Sequence, residues 1–208
     1  MLKHTSFKHG WFYHYRIHIN KTEELCTNYQ TLYSYLYEMF DKCPNEYFNS
    51  GPRSSALRMD LGIPLENEVN HKVCLLAKEG LTLNEYKTPH SNVQMFMLNF
   101  DKHTLGIEVP IWLMPHEFDG FLEFFKEDFP LTGHIDVLQI KDGKIWIWDY
   151  KPKAHLEKYA KTQTYFYALM LSKRTNIPLS NFMCGYFDNK QAYTFNPSDV
   201  KIEIPVLL

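Results

Sequence analysis

Apolar positions along this chain follow two rhythms, one near three and a half residues and one of two. Residues 21–42 carry Leu25, Tyr29, Leu32, Leu36, Tyr37 and Phe40 at helical spacing. Asn20 and Glu23 precede that run in the relation of a capping box, and Pro44 ends it. Residues 62–79 repeat the pattern through Leu65, Val69, Val73 and Leu76, with Pro64 suited to the first turn. Glu66 borders that stripe as a first-turn acid, and His71 is expected at the surface. Residues 92–100 and 104–114 read as two strands joined at Asp101-Lys102-His103, apolar on both faces. Residues 116–127 read as a short helix weakened by Gly120. A helix over 155–174 presents Leu156, Tyr159, Ala160, Tyr167, Met170 and Leu171 to a sheet. Residues 182–187 and 192–195 form a hairpin around Asn189-Lys190, and 201–207 a last strand. The aromatic and basic residues 1–19 read as an edge strand or packed arm, with stacking on nucleobases the alternative. This order predicts an α/β fold with a central mixed sheet flanked by helices, extended at the N-terminus by a helix.

One stretch specifies more than its elements. Asp142-Gly143 is a strong two-residue hairpin signal, because a type I′ turn needs positive φ at both central residues. With those two at the tip, Lys141 pairs with Lys144, Ile140 with Ile145, Gln139 with Trp146, Leu138 with Ile147 and Val137 with Trp148. Asp136 then falls opposite Asp149. Side chains directly across a ladder have Cβ atoms about 5 Å apart. Two carboxylates there repel by roughly 3 kcal/mol at an effective dielectric near 20. Lys151 shares the face of Asp149, with Leu138, Ile140, Ile145 and Ile147. The opposite face carries Ile135, Val137, Trp146, Trp148 and Tyr150. Both faces are apolar, so the strands are expected to be central. A divalent cation held by the acids beside the lysine resolves the repulsion. A salt bridge from Lys151 to one aspartate is the competing account.

Composition narrows the class. The chain has 208 residues, 45% of them hydrophobic and 16% aromatic, enough for one large domain. A net charge of −2 argues against a strongly basic, histone-like binder but leaves room for a local basic groove. Cys26, Cys43, Cys74 and Cys184 are far apart and form no Cys-x-x-Cys pair, so zinc and iron–sulfur sites are not expected. Free thiols, no apparent signal peptide and no membrane-length apolar run predict a cytoplasmic, reducing location without membrane association.

Gly133-His134-Ile135-Asp136, Asp149-Tyr150-Lys151 and Gln163-Thr164-Tyr165-Phe166-Tyr167 together resemble the G-x-x-D…D-Y-K…Q-x-x-x-Y signature of RecB-like nucleases in the PD-(D/E)XK superfamily. Gly62-Ile63-Pro64-Leu65-Glu66 is similar to the upstream helix motif that ends in histidine or glutamate. Histidine is usual in RecB-type and CRISPR-associated members, and glutamate in lambda-type phage exonucleases. Glu108, in the strand just before Pro110, sits where many members carry an acid. Ile135 replaces the proline of the superfamily name, and Pro152 follows the lysine where a small polar residue is more usual. The cysteine cluster of iron–sulfur members is missing.

The resemblance implies a restriction-endonuclease-like core over 60–208, with residues 1–59 as an aromatic arm and helix packed on it. It implies Mg²⁺ or Mn²⁺ bound by Asp136, Asp149, Glu66 and the backbone carbonyl of Tyr150. Lys151 would orient the attacking water and stabilise charge, and Gln163 and Tyr167 would hold the lysine region and the DNA strand. Lys153, Lys158, Lys161, Arg53 and Arg58 are candidate nucleic-acid contacts. The implied activity is a metal-dependent DNA nuclease, an exonuclease on single-stranded DNA or duplex ends in recombination, repair or mobile-element processing. A single-strand or structure-specific endonuclease is one alternative. A catalytically inactive DNA-binding module or structural subunit of a recombination complex is another. A homo-oligomer or a recombination partner protein is compatible with each.

Overall fold

Asp142 and Gly143 both adopt positive φ, 51° and 70°, in the computed structural model of the chain, which describes residues 1–202. The five pairs from Lys141↔Lys144 to Val137↔Trp148 form as the turn dictates. Strands β1 (Leu2–His9) and β2 (Trp11–His18) open the chain, followed by helices α1 (Ile19–Leu25) and α2 (Gln30–Lys42). Then come β3 (Glu66–Val69), α3 (Lys72–Leu83), α4 (Pro89–Phe100), β4 (Thr104–Leu113) and α5 (Phe121–Phe125). The remainder is β5 (Leu131–Lys141), β6 (Lys144–Tyr150), α6 (Ala160–Thr175), β7 (Phe182–Phe187) and β8 (Gln191–Phe195).

The strands form a single eight-stranded sheet in the order β1-β2-β4-β5-β6-β7-β8-β3. Only β6 and β7 run parallel, with α6 as the crossover between them. Helices cover both faces of the central hairpin. Leu138, Ile140, Ile145 and Ile147 join Leu32 and Leu36 of α2 and Phe166 and Met170 of α6. Val137, Trp148 and Tyr150 join Val73 and Ala77 of α3 and Val93 and Met97 of α4. Ile135 departs from the expected alternation and packs on the α6 side. The inversion falls between the pairs Ile107↔Val137 and Val109↔Ile135, where Glu108 takes a positive φ of 52°.

Several elements differ from their sequence patterns. Residues 92–100 belong to helix α4, not a strand. Thr88 Oγ1 accepts from Ser91 N–H and Pro89 occupies the first turn. The helix is wedged between α3 and the sheet, so Asn92, Val93, Gln94, Met95, Met97 and Leu98 are all buried and no helical stripe shows. Residues 62–79 are not one helix. Glu66–Val69 pair with β8, Asn70 reverses with φ 61°, and α3 starts at Lys72 with the His71 ring accepting from Val73 N–H. The stripe holds for Val73 and Leu76, but Val69 is exposed on the strand. The run 21–42 divides into α1 and α2, and His18 rather than Asn20 accepts at the first N-terminus. The break frees Tyr29 to donate from its hydroxyl to the Gly143 carbonyl at 2.6 Å. Only Phe121–Phe125 of 116–127 are α-helical, after Gly120 with φ 75°. Helix α6 begins at Ala160, leaving Leu156 exposed on the preceding turn. Of the expected last strand, Lys201 and Ile202 are not in a strand, and 203–207 lie outside the described residues.

Candidate active site

The ladder of the central hairpin stops one step short of its two aspartates. Beyond Val137↔Trp148, the Tyr150 N–H donates to the Asp136 carboxylate at 2.8 Å. Asp136 and Asp149 are both buried, at 8% and 1% exposure, far below what unpaired carboxylates tolerate. Lys151 Nζ lies 2.7 Å from Asp149 Oδ2. Gln163, one turn into α6, joins the two groups. Its amide nitrogen donates to Asp149 Oδ1 at 3.0 Å and to the Tyr167 hydroxyl at 2.7 Å, while its oxygen accepts from Lys151 at 3.2 Å. Gly133 leaves the space for this arrangement. A Cβ there would meet Tyr167 Cε1 at 2.4 Å and Ser54 Oγ at 2.5 Å. The glycine, both aspartates, the lysine, the glutamine and the tyrosine therefore form one packed unit.

Electrostatics separate the two acids. Burial pushes Asp149 up to about 7, with Asp136 adding to the rise and Lys151 opposing it. Burial acts on Asp136 in the same sense, but His90, Lys151 and the Tyr150 N–H outweigh it and hold its carboxyl below the usual range. Lys151 is disfavoured by burial, yet Asp149 and Asp136 raise it above the ordinary lysine value. The two acids thus favour its charged form, which suits it to stabilising negative charge.

Two further ligand-bearing side chains reach the same cleft. His90, in the first turn of α4, places Nε2 3.5 Å from both Glu108 Oε1 and Asp136 Oδ2. One ligand atom from each of these three residues lies within 4.8 Å of the others. Gln94, four residues along the same helix face, donates to Glu108 Oε1 at 2.7 Å and to the Asp136 carbonyl at 3.1 Å, which fixes α4 against both strands. Burial would lower the His90 pKa, but Asp136 and Glu108 raise it well above the ordinary value. Without a cation the two acids thus favour a proton on the imidazole, and a metal ion bound there would take that proton's place on the ring nitrogen. One imidazole and carboxylate oxygens around such a point form a donor set that fits Mn²⁺ or Mg²⁺.

His134 and Arg53 build the opposite wall. Arginine only donates, so the Arg53 contact with His134 Nδ1 at 3.3 Å makes that nitrogen an acceptor. His134 Nε2–H then donates to His9 Nδ1 at 3.0 Å, and His9 Nε2–H to Asn45 Oδ1 at 2.8 Å. Both histidines are neutral in this chain of bonds, and burial lowers the pKa of each. Tyr13 stacks on the His134 ring, with centroids 3.7 Å apart and planes at 6°. The walls enclose a cleft of about 320 Å³.

The structure thus gathers Asp136, Asp149, Tyr150, Lys151, Gln163, Tyr167 and Arg53 into one cleft. Glu66 does not join them. It is exposed on β3 at the sheet's far edge, three strands beyond β6 at about 4.8 Å per strand. The open edge of β8 took the segment as a strand, and the side chain that reaches the cleft from an upstream helix is His90 of α4. The apolar run 92–100 masks the helix that carries His90; Thr88-Pro89 ahead of it is the start signal that marks the helix. Arg58 and Lys158 line an adjoining groove that shares Lys151 and Gln163 with the cleft. Lys161 is occupied by Asp60 at 2.9 Å, and Lys153 is exposed.

A family model for the PD-(D/E)XK nuclease superfamily matches residues 67–202. The chain belongs to that superfamily, and its mixed sheet with flanking helices is the restriction-endonuclease-like fold. The match leaves out Glu66 and spans His90, Glu108 and the whole central signature. No curated protein and no solved structure matches the chain. Among the described residues, no helix is long and apolar enough to cross a membrane.

Proposed function

We propose that this chain is a Mg²⁺- or Mn²⁺-dependent deoxyribonuclease, an exonuclease acting on single-stranded DNA or duplex ends. The observation that carries the reading is the convergence of Asp136, Asp149, Lys151 and Gln163 with His90 and Glu108 in one cleft. Asp136, Asp149, His90 and Glu108 would hold the cation, with the Tyr150 carbonyl and waters completing its shell. When bound there, a divalent ion supplies Lewis acidity for water activation and neutralises charge on the scissile phosphate.

The chain's own groups do the rest. Lys151 stays protonated, orients the attacking water by donating to it, and meets the charge that develops on the phosphate. Gln163 keeps Lys151 and Asp149 in register, and Tyr167 keeps Gln163 in its rotamer. Arg53 offers a guanidinium to a neighbouring phosphate from the opposite wall. Exonuclease action is favoured by the Gln-x-x-x-Tyr helix and by a fold in which the described residues form one sheet. Roles in recombination, repair or mobile-element DNA processing follow from the same reading.

The test is cleavage of end-labelled linear and of circular DNA, single- and double-stranded, with Mg²⁺, Mn²⁺ or EDTA. Metal-dependent loss of linear DNA with circles spared supports the proposal, and cut circles make the protein an endonuclease. Activity that survives both Asp136→Ala and Lys151→Ala refutes the site. DNA binding without cleavage by the wild type leaves a binding module or a structural subunit.

A further inference from the structure

Residues 1–22 hold Lys3, Lys8, Arg16 and Lys21 and no acid, in a chain whose net charge is −2. They include the whole hairpin β1–β2, whose two faces are unlike. Phe7, Tyr15 and Ile17 enter the core, while His4, Ser6, Lys8, Phe12 and His14 face solvent. At the tip, Trp11 is 80% and Phe12 68% exposed, although each could have been any polar residue at no cost to packing.

The tip is anchored to the active-site wall. Arg53 donates to the His9 carbonyl at 2.5 Å, and a Cβ at Gly10 would lie 3.6 Å from the same guanidinium nitrogen. Tyr13, the residue after Phe12, lines the cleft against His134. At the other end of β2, Arg16 pairs with Ile107, next to Glu108. On the face shared by Phe12, His14 and Arg16, aromatic and cationic groups therefore extend from beside Glu108 to the hairpin tip, with no acid on the hairpin between them.

We infer that the solvent face and exposed tip of β1–β2 are the track for an unpaired nucleic-acid strand entering the cleft, with Phe12 stacking on its bases from the solvent face and Trp11 from the tip. This rests on the nuclease reading only for the direction of travel, because the surface itself is defined by charge and exposure. Lys8 and Arg16 supply backbone attraction, which any nucleic acid satisfies. The two aromatic faces require bases that are not already stacked in a duplex, so they confer the preference for single strands.

The experiment is equilibrium binding of an oligothymidylate and of a blunt duplex of equal length, in EDTA, to the wild type and to Trp11→Ala/Phe12→Ala. Cleavage is measured separately with Mn²⁺. Both side chains are exposed, and equal melting temperatures confirm that the variant folds; Trp11→Leu/Phe12→Leu keeps apolarity without an aromatic face. Trp11 is the exposed one among the chain's tryptophans, so the oligothymidylate quenches and shifts its emission in the wild type. The expected loss is about fivefold for each aromatic, hence about 25-fold in the double variant, on the single strand alone. Equal affinity in all forms, or equal losses on single strand and duplex, overturns the inference. A change of oligomeric state with binding intact also overturns it and makes the tip an interface between copies. Wild-type cleavage with aromatic-independent binding removes the track and leaves the nuclease, and the reverse pattern does the opposite.

Discussion

Gly133→Ala introduces one methyl group where the structure has no room for it. Gly133 has no positive φ, so its backbone suits alanine and the cost is steric alone. The new carbon would stand 2.4 Å from Tyr167 Cε1 and 2.5 Å from Ser54 Oγ. Carbon contacts become favourable near ~3.5 Å, so the overlap is about 1 Å on two sides. Tyr167 cannot swing aside, because it is 3% exposed and its hydroxyl is held by Gln163. Overpacking of this kind costs about 1–3 kcal/mol, and obstruction from two directions places it near the upper end. For a chain of this size that lowers the melting temperature by roughly 6–10 °C. The functional loss should be larger than the stability loss. A 1 Å displacement passed from Tyr167 through Gln163 to Asp149 and Lys151 is expected to slow cleavage about a hundredfold. Calorimetry and single-turnover cleavage read the two effects. Tyr167→Ala removes the obstruction while leaving a hole, so the double variant should be more stable than the sum of the single losses by about 1–3 kcal/mol. Strict additivity, or a Gly133→Ala protein that melts and cleaves like the wild type, refutes the packed-unit argument.

Other outcomes follow from the same geometry. His90→Ala should weaken Mn²⁺ binding by at least about tenfold in calorimetry, with the fold retained, since the His90 side chain is 36% exposed. Glu66→Gln should change neither Mn²⁺ affinity nor cleavage, and a tenfold effect on either would restore it to the site. Gly185→Ala should destabilise without touching the cleft, because its Cβ would meet Trp148 Cζ3 at 2.4 Å; urea titration gives the loss, about 1–3 kcal/mol. Stability should also fall in acid through His9 and His134. Their folded pKa values are depressed by burial, so the unfolded chain binds the protons first as pH drops below about 6.5. The contribution is complete above that pH and lost below it. His9→Gln should flatten this limb of the urea-derived profile, and an unchanged slope would rule the pair out.

The hairpin, its register and its burial on both faces were legible because turn chemistry and alternation are local. Asp149, Lys151, Gln163 and Tyr167 were legible for the same reason, through one strand end and one helix face. Glu66 lies away from the cleft and His90 lies in it because the placement of each depends on tertiary partners. A short segment at an open sheet edge becomes a strand whatever its four-residue spacing, and a helix buried on two sides shows no stripe. Glu108 was placed on its strand, but its meeting with His90 requires α4 to cross the sheet. The wall of His134, Arg53, His9 and Asn45 joins parts of the chain far apart in sequence, and no spacing rule reveals it.

The crossover through α6 also has a consequence for the order in which the protein is made. Asp136, Asp149 and Lys151 leave the ribosome before Gln163 and Tyr167, and the parallel pairing of β6 with β7 must wait for the whole helix between them. Until α6 docks, Lys151 and Asp149 can pair directly, but Gln163 is not there to bridge them and Tyr167 is not there to hold Gln163. The candidate site is thus incomplete through most of the chain's synthesis and comes together in one late step with the completed fold.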